Sequence, residues 1–403
     1  MRYTVSIILA LSALAVTSTA QATGPRIAYA SDAEGDYEIY TIQDDGSDPV
    51  RLTNSSDSDG APAWSPDRTR IVFGSDRFGD ANIWIMDAAD ADGDGNGDNL
   101  SQLTTHAAED SDPRISPDGT RVMFQSRRDD LAAYELYVMD IDGSNVVRLT
   151  TSVAADTSGD WSPDSSRIVW VSDGWVWVMD AVDADGDGNG DNAELWITGA
   201  NGALRWSPDG AEILFAANDG DWDIYLMDAG GVTNPGGANV RQRTFGAADE
   251  WGDFAPDGRR IVYADGEGLG GGHNLYTIPT DGSGSATQVT SDGAAGPWVS
   301  WAPSVPRVSV GDVTGPPGGS VTVPISVSEM AGWDVVGMAL ELAYDSSILT
   351  PSATDTVVLG DALVDASAWY VEHGETTPGI LTIALEGVMH FPRLSGQTGG
   401  GGG

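Results

Sequence analysis

The residues best placed to do chemistry lie in two acidic tracts of identical lettering, Ala91 to Asn99 and Ala184 to Asn192. Around the second, Asp183, Asp185 and Asp187 stand at positions 1, 3 and 5 of a loop, Gly188 at 6, Asn189 at 7, Asp191 at 9 and Glu194 at 12. Hard oxygen donors at alternate positions, with a glycine to turn the chain, are what a seven-coordinate calcium ion requires. Ca2+ is therefore the expected cofactor, with residues 183–194 satisfying the whole pattern. Over residues 90–101 the same reading takes Asp90, Asp92, Asp94, Asn96 and Asp98 as ligands around Gly95. Ser101 stands where the bidentate carboxylate belongs, so weaker binding is expected there. The competing reading is a solvated Asp/Gly/Asn loop with no ion. Against it, several carboxylates packed into one short loop repel each other even in water.

Other chemistry finds little support. His106, His273, His373 and His390 are scattered, without the spacing of a transition-metal site. There is no cysteine nucleophile and no Gly-x-Ser-x-Gly elbow, and the glycine run Gly268 to Gly272 lacks the lysine of a phosphate loop. The expectation is a protein that is not an enzyme.

The elements that must hold the acidic loops repeat about every 45 residues, the period of propeller blades. One strand recurs as Arg26-Ile27-Ala28-Tyr29, Arg70-Ile71-Val72-Phe73, Arg121-Val122-Met123-Phe124, Arg167-Ile168-Val169-Trp170, Glu212-Ile213-Leu214-Phe215 and Arg260-Ile261-Val262-Tyr263. Each is followed by a second aromatic and β-branched run, such as Asn82 to Asp87 or Glu135 to Asp140, and each after the first is preceded by a Trp64-Ser65-Pro66-Asp67 type of turn, which recurs last as Trp301-Ala302-Pro303. Both acidic tracts sit where sister repeats have only Asp-Gly hairpins, at Asp45-Gly46, Asp142-Gly143 and Asp281-Gly282.

These turns and strands, with the closing Arg51-Leu52-Thr53 and Arg148-Leu149-Thr150, resemble the WD40-like repeats of TolB-type six-bladed β-propellers over residues 24–304. The chain enters at a second strand, Arg26, and leaves at a lone first strand, Trp298 to Pro303, so those two are expected to pair and close the ring. Residues 305–394 have another texture. Gly318 to Pro324, Leu340-Glu341-Leu342-Ala343-Tyr344-Asp345 and Gly379 to Ile383 resemble a cohesin module. That resemblance implies a jelly-roll β-sandwich that binds dockerins in cellulose-degrading assemblies. The family continues into final strands where this sequence turns to Leu394 and a Gly-rich tail over 395–403, so an incomplete sandwich is expected. The fold class is thus all-β.

Composition bounds the rest. Arg2, the apolar run Val5 to Val16 and Ala20-Gln21-Ala22 read as a signal peptide over 1–22, and no segment has the roughly 20 apolar residues of a membrane span. A secreted, periplasmic or cell-surface monomer follows. A net charge of -42, with 19 basic residues that are all arginine, disfavours nucleic acid and anionic membranes. Acids between blades, including Asp57, Asp59, Glu109, Asp110, Asp112, Asp156, Asp160, Asp249, Glu250, Asp253 and Asp292, are expected to ring one mouth of the channel, either as a solvated rim or as a site for a cation, basic peptide or sugar. Trp64, Trp161, Trp206 and Trp301 recur at one repeat position and read as core; Trp222, Trp251, Trp333 and Trp369 remain as ligand platforms. The leading reading is an exported, calcium-stabilised scaffold with a protein partner (dockerin-like) or carbohydrate. Alternatives are a periplasmic TolB-like component of an envelope complex and a propeller-type polysaccharide lyase.

Overall fold

The computed structural model describes residues 8–10, 25–129, 133–198, 202–218, 220–229, 239–245, 249–266 and 272–303, and strands within 307–390. The chain divides into two units, Ala20–Ser304 and a second made of Met1–Thr19 with Val305–Gly403. Every regular element described is a strand.

In the first unit, four antiparallel sheets of four strands follow one another, each built from consecutive strands. The sheet opening at Asp59–Trp64 continues through Arg70–Ser75, Asn82–Asp87 and Ser101–Gln102. The next opens at Asp110–Ile115, the third at Asp156–Trp161 and the fourth at Gly202–Trp206. The remaining eight strands form one sheet. In it, His273–Pro279 meets Ala295–Trp301 through the single pair His273↔Ala295. Ala295–Trp301 then pairs along its length with Arg26–Ser31, placing Trp301 opposite Ile27 and Val299 opposite Tyr29. The pairing expected from the offset register is therefore formed, with the strand starting three residues earlier than Trp298.

Aromatic and β-branched residues make these strands because they fill a pleated, half-buried surface. The second and third strands of successive sheets place aromatic side chains opposite each other, as in Tyr29–Tyr40, Phe124–Tyr137, Trp170–Trp177, Phe215–Tyr225 and Tyr263–Tyr276, with ring centres 5.5 to 6.2 Å apart. Core clusters form between sheets as well as within them: Ala28, Ile39 and Leu52 of one pack with Trp64, Ile71 and Phe73 of the next. The opening strands contact one another in a closed cycle, from Asp59–Trp64 through Asp110–Ile115, Asp156–Trp161, Gly202–Trp206, Asp249–Phe254 and Ala295–Trp301 back to the start. This is a propeller-like arrangement.

Each of five opening strands carries a residue with positive φ: Ala61 at 50°, Asp112 at 49°, Ser158 at 56°, Ala203 at 51° and Trp251 at 47°. The pairing register slips at these points, the mark of a β-bulge, which bends the strand and re-aims the residues beyond it. The residues two further on are Ala63, Arg114, Asp160, Arg205 and Asp253.

In the second unit, Asp334–Ala343, Ile380–His390 and Tyr370–Thr377 form an antiparallel sheet, and Arg307–Val310 pairs with Ile325–Ser328. Ile8–Ala10, inside the expected leader, pairs at the edge of the larger sheet opposite Leu342. Trp333 and Trp369, and the Leu394 to Gly403 tail, lie outside the described residues.

Candidate metal loops and the axial charge cluster

The two acidic tracts fold alike. In the first, the Asp90 carboxylate accepts the N–H groups of Gly93, Asp94 and Gly95 at 2.7, 3.2 and 2.9 Å. In the second, Asp183 accepts those of Gly186, Asp187 and Gly188 at 2.8, 3.2 and 2.9 Å. The N–H of Gly188 and its neighbours hold Asp183 below the usual carboxylate range. At Asp90 desolvation pushes upward, and the N–H groups of Gly95, Gly93 and Asp94 outweigh it, so its pKa is lowered too.

The glycines have separate causes. Gly93 and Gly95, like Gly186 and Gly188, adopt φ between 74° and 85°, which a side chain resists. Gly97 and Gly190 sit against the strand below: a Cβ on Gly97 would stand 2.4 Å from the Asp87 carbonyl oxygen, and one on Gly190 2.4 Å from Met179 Sδ. From there each loop reaches the preceding sheet, Gly97 N–H donating to Leu52 O and Gly190 N–H to Leu149 O. Asn54 N–H donates to Asn96 Oδ1 at 3.0 Å, and the Thr151 hydroxyl to Asn189 Oδ1 at 2.6 Å. Asn99 and Asn192 tie the far ends back to Asp87 and Asp180. Each loop thus bridges two sheets.

Carboxylate oxygens of Asp183, Asp185 and Asp187 converge within 4.8 Å of one another, as do those of Asp90, Asp92 and Asp98. Two oxygens bound to one calcium at about 2.4 Å can stand no more than about 4.8 Å apart, so both groups fit the ion. Asp94 and Asp191 lie outside these converging groups, and Glu194 opens the outer strand Glu194–Thr198 as an exposed residue opposite Val178.

The expected acidic rim is not what most of its members form. Asp59, Asp110, Asp156 and Asp249 are buried at the starts of the opening strands. Asp59 pairs with Arg77 at 2.8 Å and Asp110 with Arg128 at 2.9 Å. Past the bulges, Arg114, Asp160, Arg205 and Asp253 form a second cluster. Burial lowers the Arg114 pKa, and the Arg205 charge lowers it further; Asp112, Asp160 and Asp253 oppose this. Residues from strands this far apart in the cycle feel one another only where the opening strands converge, at its axis. Burial pushes Asp160 up to about 6 and also raises Asp253, with Arg205 opposing in both. Each acid also reaches the next opening strand in the cycle: Asp160 Oδ2 accepts Trp206 N–H and Asp253 Oδ2 accepts Trp301 N–H, both at 2.7 Å. Arg114 Nη2 lies 3.0 Å from Asp112. The arginines were missed in the sequence, although Arg114, Asp160, Arg205 and Asp253 each stand two residues before a Ser-Pro or Ala-Pro turn.

Trp64, Trp161 and Trp301 are buried as core, and Trp206 is partly so. Trp222 and Trp251 pack partly buried against a core cluster, so neither is a free platform. Among the described residues, no helix is long and apolar enough to cross a membrane.

Comparison with known proteins matches these two regions separately. Residues 306–390 match the family model of the Cohesin domain. A "Protein TolB homolog" of Chlorobium luteolum is 41% identical over 54 residues, 13% of this chain and 12% of that protein. "Tol-Pal system protein TolB" of Desulfosudis oleivorans is 38% identical over 60 residues, 15% of this chain and 14% of that protein. The chain thus spans only a small part of the curated relatives it matches. TolB from Acinetobacter baumannii superposes with a TM-score of 0.57 at 24% identity, over 69% of this chain and 67% of that one, a likeness of fold. The chain is similar to a TolB-like propeller followed by a cohesin-like domain.

Proposed function

We propose that the chain is an exported, non-catalytic scaffold: a six-bladed propeller, stabilised by calcium at two loops, carrying a cohesin-like β-sandwich that docks a protein partner. The match of residues 306–390 to the Cohesin domain carries this reading. It implies a dockerin-like partner, and with it a place in an extracellular polysaccharide-degrading assembly. Six blades are supported by the closed cycle of six opening strands, the eight-stranded sheet being two blades joined at His273↔Ala295. Calcium is supported by the converging carboxylates of Asp90, Asp92 and Asp98 and of Asp183, Asp185 and Asp187. Asp191 and Glu194, at positions 9 and 12, would supply the remaining oxygens to an ion in the second loop.

The test is capture by the purified full chain of a dockerin module added in calcium, read by calorimetry. Saturable binding abolished by deleting 306–390 supports the reading; no binding with the propeller intact overturns the docking role. The relatives named TolB favour a second reading, a periplasmic component of an envelope complex, in which an envelope lipoprotein is captured instead.

A further inference from the structure

In two blades an arginine folds back over an aromatic pair onto the buried aspartate that opens the first strand. Arg77 donates through Nη2 to both oxygens of Asp59, at 3.0 and 2.8 Å, and through Nε to Ser75 Oγ at 2.9 Å. Its guanidinium lies 5.5 Å from the ring centre of Phe73 and 4.8 Å from that of Trp84. Arg128 repeats this on Asp110 at 2.9 Å and Ser126 at 3.1 Å, 4.9 Å from the ring centres of Phe124 and Tyr137.

The blade opening at Asp156–Trp161 keeps every part of this socket except the arginine. Asp156 is 1% exposed, Ser172 takes the place of Ser75 and Ser126, and Trp170 stacks on Trp177 with centres 6.2 Å apart. The hairpin there is only Asp173-Gly174, and Gly174 stands where Arg77 and Arg128 stand in the sister blades. Asp156, Ser172, Trp170 and Trp177 instead line a cavity of about 230 Å³.

Charge balance agrees. At the interface holding Arg77, Glu38 and Asp59 face two arginines, Arg51 and Arg77. At the interface with the cavity, Glu135 and Asp156 are neighbours, and Arg148 pairs with Glu135 at 2.8 Å. Among the described residues no cation pairs with Asp156, whose carboxylate accepts the Ser152 hydroxyl at 3.2 Å. A buried carboxylate without a counter-ion is costly, and a guanidinium held over tryptophan faces is favourable.

We propose that this cavity binds a guanidinium group delivered from outside the chain, the arginine side chain of a peptide or a free guanidinium compound. Hydrogen bonds to Asp156 and Ser172, and stacking on Trp170 and Trp177, would reproduce the contacts of Arg77 and Arg128.

The test uses the full chain with tryptophan fluorescence and calorimetry, titrated with agmatine, with a short peptide containing one arginine, and with the same peptide carrying citrulline. At least one guanidinium probe is expected to bind and the citrulline peptide not to. Tighter binding of the arginine peptide assigns a peptide source, and binding of agmatine alone assigns a small compound. Asp156→Asn should weaken binding roughly tenfold or more, as loss of a charge-assisted contact. Trp177→Leu, which leaves the carboxylate in place, should weaken it as well. Failure of both guanidinium probes, equal binding of citrulline, or unchanged affinity in both folded variants would overturn the proposal.

Discussion

The N–H of Gly97 donates to the carbonyl oxygen of Leu52 at 2.7 Å, so the acidic loop of one sheet is hydrogen-bonded to the outer edge of the sheet before it. Gly190 and Leu149 repeat the contact at the same distance two blades on. A bound ion that fixes either loop would therefore stiffen a joint between blades.

That joint has no room for a side chain. Gly97→Ala places a Cβ 2.4 Å from Asp87 O, and the overpacking should cost about 1–3 kcal/mol. Gly93 opens onto free space, so Gly93→Ala should cost only the left-handed backbone, about 1 kcal/mol. Thermal melting of the two variants compares them directly, and an equal loss would show that the joint tolerates a side chain.

Arg77 neutralises a fully buried carboxylate. Arg77→Met leaves Asp59 charged and unpaired, which should cost about 3–5 kcal/mol in urea denaturation. Adding Asp59→Asn should recover part of that loss. A single variant as stable as the wild type would mean the pair contributes nothing.

The axial cluster gives stability a pH dependence. Asp160 titrates at about 6 in the folded protein against an ordinary 3.8, so between these values the folded state holds the proton more strongly. This group alone makes stability fall as pH rises through that window. Asp160→Asn keeps an acceptor for Trp206 N–H and removes the titration. Urea midpoints measured from pH 4 to 6.5 should differ in slope between variant and wild type; parallel curves would contradict the placement of Asp160.

The blade repeats, the pairing of Arg26–Ser31 with the last propeller strand and the position of both acidic loops were legible in the sequence, because apolar alternation and turn residues are local signals. The surroundings of Asp59, Asp110 and Asp160 were not. Their partners Arg77, Arg128 and the N–H of Trp206 become neighbours only when strands assemble, and in an Asp-rich chain no acid stands out by type. The bulges at Ala61, Asp112, Ser158, Ala203 and Trp251 were hidden for a related reason, since non-glycine residues seldom advertise a positive φ. Placing Glu194 as a ligand followed from spacing, whereas the strand it opens sets where it stands.

The most direct measurement is thermal melting of the full chain in calcium and in chelator. At a calcium concentration one hundred times the dissociation constant, binding to the folded state contributes about 2.7 kcal/mol. At roughly 2–4 °C per kcal/mol for a domain of this size, the melting temperature should rise by several degrees. Asp185→Asn should remove most of the rise, Glu194→Gln should reduce it if the strand start closes on the ion, and magnesium should do much less because it demands a smaller octahedral shell. A melting curve indifferent to calcium and chelator alike would contradict the account, leaving 90–101 and 183–194 as acidic loops held by their own hydrogen bonds.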